Sequence, residues 1–166
     1  MPHFKYLGTI ISGDLDDTLE IESRIKQARK SFGTMSKDIL RNKRTATKLR
    51  VQLYQQCVVS ILLANCETWA LTEKLILKLT RFHHDCARSM CKLTRWHHRK
   101  YGITMKDILE NRLGGLLPIE KIIRVRQLRF LNRVARMNCD RLTFQVLTSQ
   151  LKATTAITRA APGRKR

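Results

Sequence analysis

Apolar side chains recur along most of this chain at alternating steps of three and four, the period of a helix with one buried face. Ile21, Ile25, Ala28, Phe32, Met35 and Ile39 form the first such stripe. It follows Asp17-Thr18-Leu19-Glu20, which reads as a helix start with Asp17 at the N-cap and Glu20 reaching back. Gly33 weakens that helix without ending it. A second helix is expected from about Thr47 to Ala64, with Leu49, Leu53, Cys57 and Ile61 on one stripe. Tyr54, Val58 and Leu62 lie beside that stripe, and Asn65 is the stop. A third helix starts after Thr72 and carries Leu75, Leu79, Phe82, Cys86 and Met90. Its opposite side shows Lys74, Lys78, Arg81, Arg88 and Lys92.

The pattern changes elsewhere. Residues 3–12 are rich in β-formers and predict one short strand, turned by Gly13 and Asp14. The polar, basic stretch Thr94 to Gly102 reads as a loop. Thr104 and Asp107 cap a short helix holding Ile108 and Leu109, which Gly114-Gly115 ends. Pro118 suits the first turn of the next helix, which reaches about Met137 with Ile119, Ile123, Phe130 or Leu131, and Val134 on its apolar side. A last helical stretch covers about Leu142 to Leu151. Residues 153–166 hold no acid and few large apolar groups, and are expected to form a disordered basic tail. The fold class is thus mostly α: a short N-terminal strand followed by a bundle of about five to six helices. The segments are 1–15, 16–93, 94–152 and 153–166.

Charge adds a function to this outline. The 166 residues carry 33 Lys and Arg against 13 Asp and Glu, a net charge of +20. Self-repulsion at that charge is relieved by a polyanion, and a phosphate-rich partner is the simplest one. Residues 84–166 hold 19 basic side chains and 5 acidic ones, against 14 and 8 in residues 1–83, so the second half is the place to look. There, Arg126, Arg129, Arg133 and Arg136 recur at helical spacing, with Arg124 nearby, and Glu120 is the only acid between Ile119 and Cys139. A helix that buries one face and shows Arg on the other can lie along a phosphate backbone, because a guanidinium offers paired donors that match phosphate oxygens. Lys92, Arg95, Arg99 and Lys100 make a second basic patch, and Trp96 within it is a candidate for stacking on a base.

Other constellations carry less. His83, His84, Cys86, Cys91, His97 and His98 supply enough ligands for zinc, but their spacing does not match a closed site, and Cys86 falls on an apolar stripe. Asp14, Asp16 and Asp17 open a helix, where carboxylates complement the dipole. Trp69 precedes an apolar Leu71 and reads as packing. No catalytic centre, metal site or cofactor is expected. Five Cys, an odd number in a chain able to bury a core, read as free thiols in a reducing compartment, and basic clusters at 41–44 and 163–166 fit nuclear import. The longest apolar run, Val58 to Ala64 broken by Ser60, is too short to span a bilayer.

Several segments, in order, resemble the reverse transcriptases of non-LTR (LINE-type) retrotransposons. Phe4-Lys5-Tyr6-Leu7-Gly8 with Ile10-Ile11 is similar to the strand leaving the palm. Glu22-Ser23-Arg24-Ile25 with Ala28 and Phe32 is similar to the first thumb helix. Lys48-Leu49-Arg50 with Leu53-Tyr54, then Cys66-Glu67-Thr68-Trp69 with Leu71-Thr72, is the most specific match. Phe82-His83 with Cys86 and Arg88, and Leu128-Arg129 with Val134 to Met137, continue it. Ser60 stands where many relatives have Pro, and Ala64-Asn65 where they have Tyr-Gly. The family's aromatic-Ala-Asp-Asp hairpin, which holds the catalytic metals, has no match in this sequence, nor has its endonuclease domain.

The resemblance implies a thumb over 16–93 and a C-terminal extension over 94–152 that grip the template–primer backbone, with no catalysis by this chain alone. It implies RNA or RNA–DNA hybrid as partner, with duplex DNA as a further option. The competing expectations are a helical protein-interaction module, self-associating through an apolar face of the Ile21–Ile39 helix that loss of the palm leaves bare, and a zinc-binding module on His83 to His98.

Overall fold

A computed structural model describes residues 3–6, 8–14 and 16–149, with the backbone alone of His98. The tail expected at 153–166, and the end of the helix expected to reach Leu151, lie outside the described residues. The protein is mostly α-helical, with a short two-stranded antiparallel sheet at its start. It forms two compact units, residues 1–125 and 126–166.

Where one strand is expected there are two. β1 (His3–Tyr6) pairs with β2 (Thr9–Ser12), Phe4 facing Ile11 and Tyr6 facing Thr9. Gly8, at φ +86, supplies the left-handed backbone such a tight reversal needs. Ten residues of β-formers fold back on themselves because that glycine interrupts them.

Helix α1 (Thr18–Met35) begins where Asp16 Oδ1 accepts from the backbone N–H of Thr18 at 3.0 Å and its hydroxyl at 2.7 Å. Those bonds hold the Asp16 carboxyl below its usual range. Asp17 occupies the N-cap, but its side chain accepts from the Ala70 N–H at 2.7 Å. Glu20 does not reach back to it. Its carboxylate is buried, accepts from the Ile10 N–H at 2.7 Å and pairs with Arg24 Nε at 2.6 Å. Arg24 also donates to the Gly8 carbonyl at 3.1 Å. The hairpin's unpaired backbone groups draw this ion pair inward and fasten the sheet to α1. Beyond Met35 the helix widens into a π-wound segment, Ser36–Leu40.

The second helix runs as α2 (Thr47–Leu53), a π-wound segment Tyr54–Val59, and α3 (Ser60–Leu62). Its buried face is the neighbour of the expected one. Tyr54, Val58 and Leu62 are fully buried while Leu49 is exposed and Cys57 and Ile61 are only half-buried, so the stripe placed beside the core is the core. Asn65 ends it in the left-handed conformation, φ 63. Arg50 ties this helix to two others, donating to the carbonyls of Leu40 at 3.5 Å and Met90 at 3.0 Å. Those carbonyls close helices, where a cation is favoured by the dipole.

Helix α4 (Glu73–Met90) follows its sequence pattern, with Leu75, Leu79, Phe82, Cys86 and Met90 all buried. Thr94 to Gly102, expected as a loop, holds helix α5 (Arg95–Tyr101). Thr94 and His97 form a reciprocal capping box, and Gly102 closes the helix at φ 62. Caps, not an apolar stripe, start and stop it. Helix α6 (Met105–Asp107) begins where Thr104 Oγ1 accepts from the Asp107 N–H at 3.1 Å, and continues π-wound over Ile108–Arg112. Gly114 and Gly115, both at positive φ, end it. Pro118 then precedes α7 (Ile119–Ala135), its carbonyl accepting from Lys121 and Ile122.

One core cluster gathers side chains from Ile21 to Ile123, including Leu109, Leu113, Leu116 and Ile119. Each fully buried Leu or Ile contributes about 1.5–3 kcal/mol. Ile21 and Ala28 have no exposure, and Ile25, Phe32 and Met35 pack against the cluster, so the apolar face of α1 is covered from within the chain. The second unit takes in the rest of α7 and a helical segment at 142–149. Within the described part of it, Val134 alone is buried. No helix among the described residues is long and apolar enough to cross a membrane.

Candidate nucleic-acid interface

The two basic patches fall differently in the structure. In the second unit the arginines of α7 come to line an open concavity of about 630 Å³. Its wall is Arg129, Asn132, Arg133, Arg136, Met137, Asn138 and Arg141. Arg129 and Arg133 are successive turns of one helix face. Arg136 lies just beyond the last helical residue, where its N–H still bonds the Arg133 carbonyl at 3.3 Å. The chain then turns, the Arg141 N–H donating to the Asn138 carbonyl at 3.0 Å, and brings Arg141 to the same hollow.

Among the described residues no carboxylate lines this hollow, and Arg129, Arg133, Arg136 and Arg141 make no ion pair. All four are exposed. Four forked cations and two side-chain amides around one open space make a surface dominated by donors, suited to phosphate oxygens and hostile to cations. Arg126, half-buried, is not part of the wall, and Arg124, exposed, belongs to the first unit. Arg141 is the member sequence reading missed. It precedes the helix at 142–149 by one residue, across a turn that helical periodicity does not cross.

The second patch lies in the first unit, on and beside α5. Arg95, Trp96, Arg99 and Lys100 are exposed on the helix, and Lys92, at φ 55, is exposed just past the end of α4. Lys100 Nζ sits 4.6 Å from the Trp96 ring centroid and 5.5 Å from that of Tyr101. The Trp96 ring stands at 88° to both His97 and Tyr101.

Cys86 and His83 take structural places. Cys86 is buried, and burial pushes its thiol up to about 12, with the Tyr54 hydroxyl opposing. His83 is fully buried, its Nδ1 2.8 Å from the Tyr54 hydroxyl. Burial holds the His83 imidazolium down, at about 4, with His84 adding repulsion and the Leu117 backbone opposing. A neutral imidazole bonded through Nδ1 to a phenol, beside a protonated thiol, is a buried polar cluster rather than an activated nucleophile. Trp69 is 5% exposed and packs in the core. Among the described residues no three His, Cys, Asp or Glu side chains gather as a metal site would need.

Comparison with known proteins yields no relative: no family model, no curated protein and no solved structure matches the chain.

Proposed function

We propose that this chain grips nucleic acid by its phosphate backbone and catalyses nothing by itself, as the thumb and C-terminal extension of a non-LTR retrotransposon reverse transcriptase would. The observation that carries this reading is the hollow walled by Arg129, Arg133, Arg136 and Arg141 without a carboxylate. Backbone contacts of this kind fix position and carry little sequence information. An RNA–DNA hybrid, read by shape and by phosphate and 2′-OH contacts, suits such a grip best, followed by RNA and then duplex DNA.

The test is a salt series of binding to RNA–DNA hybrid, RNA and duplex DNA, followed by fluorescence anisotropy. Log K falls by roughly 0.7–0.9 per phosphate neutralised. Replacing all four wall arginines by Ala makes the slope shallower by about 3 and lowers affinity at low salt by at least about a hundredfold. A wild-type affinity indifferent to salt, or a fourfold variant that binds as the wild type does, sinks the reading.

A further inference from the structure

The basic hollow offers its donors to phosphate and has no aromatic ring to take the face of a base. Helix α5 carries a different chemistry. Trp96 is 55% exposed and Tyr101 60% exposed, whereas Trp69, the other tryptophan, is 5% exposed inside the core. Two large aromatic faces left in water are costly, and the ring contacts on α5 orient them without covering them. His97 and Tyr101, one turn apart, lie nearly parallel at 30° with centroids 6.2 Å apart. Trp96 stands across them, 5.2 Å from His97 and 6.0 Å from Tyr101.

The arrangement is held in place before any ligand arrives. The Thr94 N–H donates to His97 Nδ1 at 3.2 Å, and the Thr94 hydroxyl lies 2.8 Å from the same atom, which fixes the imidazole. Lys100 braces Trp96 through its ammonium. Along the chain on either side of the rings the charges are of one sign. No acidic residue occurs between Asp85 and Asp107. Among the described residues Lys92, Arg95, Arg99 and Lys100 make no ion pair. Rigid exposed rings beside unpaired cations are the two parts of a single-strand site: a ring takes the face of a base, and the cations take the adjoining phosphates.

We infer that Trp96, flanked by Tyr101 and by Arg95 and Arg99, is a stacking platform for an unpaired base of a single-stranded nucleic acid. This rests on the nucleic-acid reading above and adds the state of the strand. A base within a duplex hides both faces against its neighbours and cannot use the platform. When a base lands on the indole, Lys100 exchanges the ring for a phosphate.

Tryptophan emission tests this directly on the full chain. Trp69 gives a constant background from the core, so any change on binding reports Trp96. A single-stranded oligonucleotide quenches the emission, and the same sequence annealed into a duplex, at equal phosphate, does not. Trp96→Leu weakens single-strand binding by about five- to 150-fold, the range for losing one base–aromatic stack, while its salt slope stays that of the wild type. Trp96→Phe recovers part of the loss, and Arg95→Ala with Arg99→Ala lowers the slope instead.

Single strands that bind without quenching, or a Trp96→Leu variant that binds them as tightly as the wild type, overturn the platform. Should that happen while the fourfold wall variant still loses its hybrid, the backbone grip stands alone. If Trp96 responds to single strands while the wall variant binds hybrid normally, the platform stands and the hollow is not the grip. A chain that binds neither removes both.

Discussion

The arginines packed against the core of the first unit and those lining the hollow of the second are used in opposite ways. In residues 1–125, outside the exposed patch of Lys92, Arg95, Arg99 and Lys100, several cations are fastened. Arg24 is held by buried Glu20 and the hairpin carbonyl, and Arg50 by the carbonyls of Leu40 and Met90. Arg88 and Arg112 find Asp85 and Asp107, and Lys78 finds Glu22. Residues 126–149 contain five arginines and one carboxylate, Asp140, and four of those arginines surround open space. Charge count alone does not separate these two groups of arginines, since both regions are rich in cations. Pairing does. An arginine whose donors are spent on carboxylates and carbonyls holds a fold together. One whose donors face solvent beside three others is available to a ligand.

That contrast can be broken in order of expected effect. Glu20→Ala removes the partner of a buried guanidinium and frees the Ile10 N–H, and costs about 3–5 kcal/mol. Chemical denaturation reads this as a large fall in midpoint, while the nucleic-acid affinity of the remaining folded protein is unchanged. A Glu20→Ala protein as stable as the wild type means the first unit's charges are not fastened as described.

The next effect is in pH. His83 sits at about 4 when folded, against 6.5 for a free imidazole. An unfolded chain therefore takes up a proton that the folded one refuses. Stability is complete above pH 6.5 and falls by up to about 3 kcal/mol as pH drops toward 4. His84, also held below its usual value by burial, adds in the same direction. His83→Leu flattens most of the decline, as urea unfolding at several pH values will show. The second unit contains no histidine, so binding through its arginines stays level across that window wherever the protein remains folded.

The smallest effect sharpens the comparison most. Arg133→Ala weakens binding uniformly across sequences and lowers the salt slope by about 1, without moving the thermal midpoint. A drop in midpoint matching that of a fastened arginine marks Arg133 as structural instead.

Particular residues show how far the sequence could be read. The stripe Leu75 to Met90 is legible because α4 keeps a regular period and one buried face. The second helix misleads because Leu49, Leu53, Cys57 and Ile61 and the neighbouring Tyr54, Val58 and Leu62 recur at the same four-residue step, so spacing alone does not choose the buried set. Helix α5 is hidden because it buries little; its Thr94–His97 box and Gly102 are its only local signals, and His is not the usual side chain for that box. The row Arg126 to Arg136 is legible as a basic face, yet its membership is not. The wall takes in Arg129, Arg133 and Arg136, leaves out Arg126, and adds Arg141 through a turn whose path periodicity does not encode.

The wide turn at Tyr54–Val59 also bears on how such a chain tolerates changes of length. A π-wound turn holds one residue more than its α-helical equivalent. Loss of a residue from an ordinary helix swings everything downstream by about 100° and pulls its side chains from their sockets. Loss of one here lets the backbone relax into regular winding between anchored ends. Single-residue deletions at the exposed positions of 54–59 are therefore expected to lower the thermal midpoint less than deletions within Glu73–Met90.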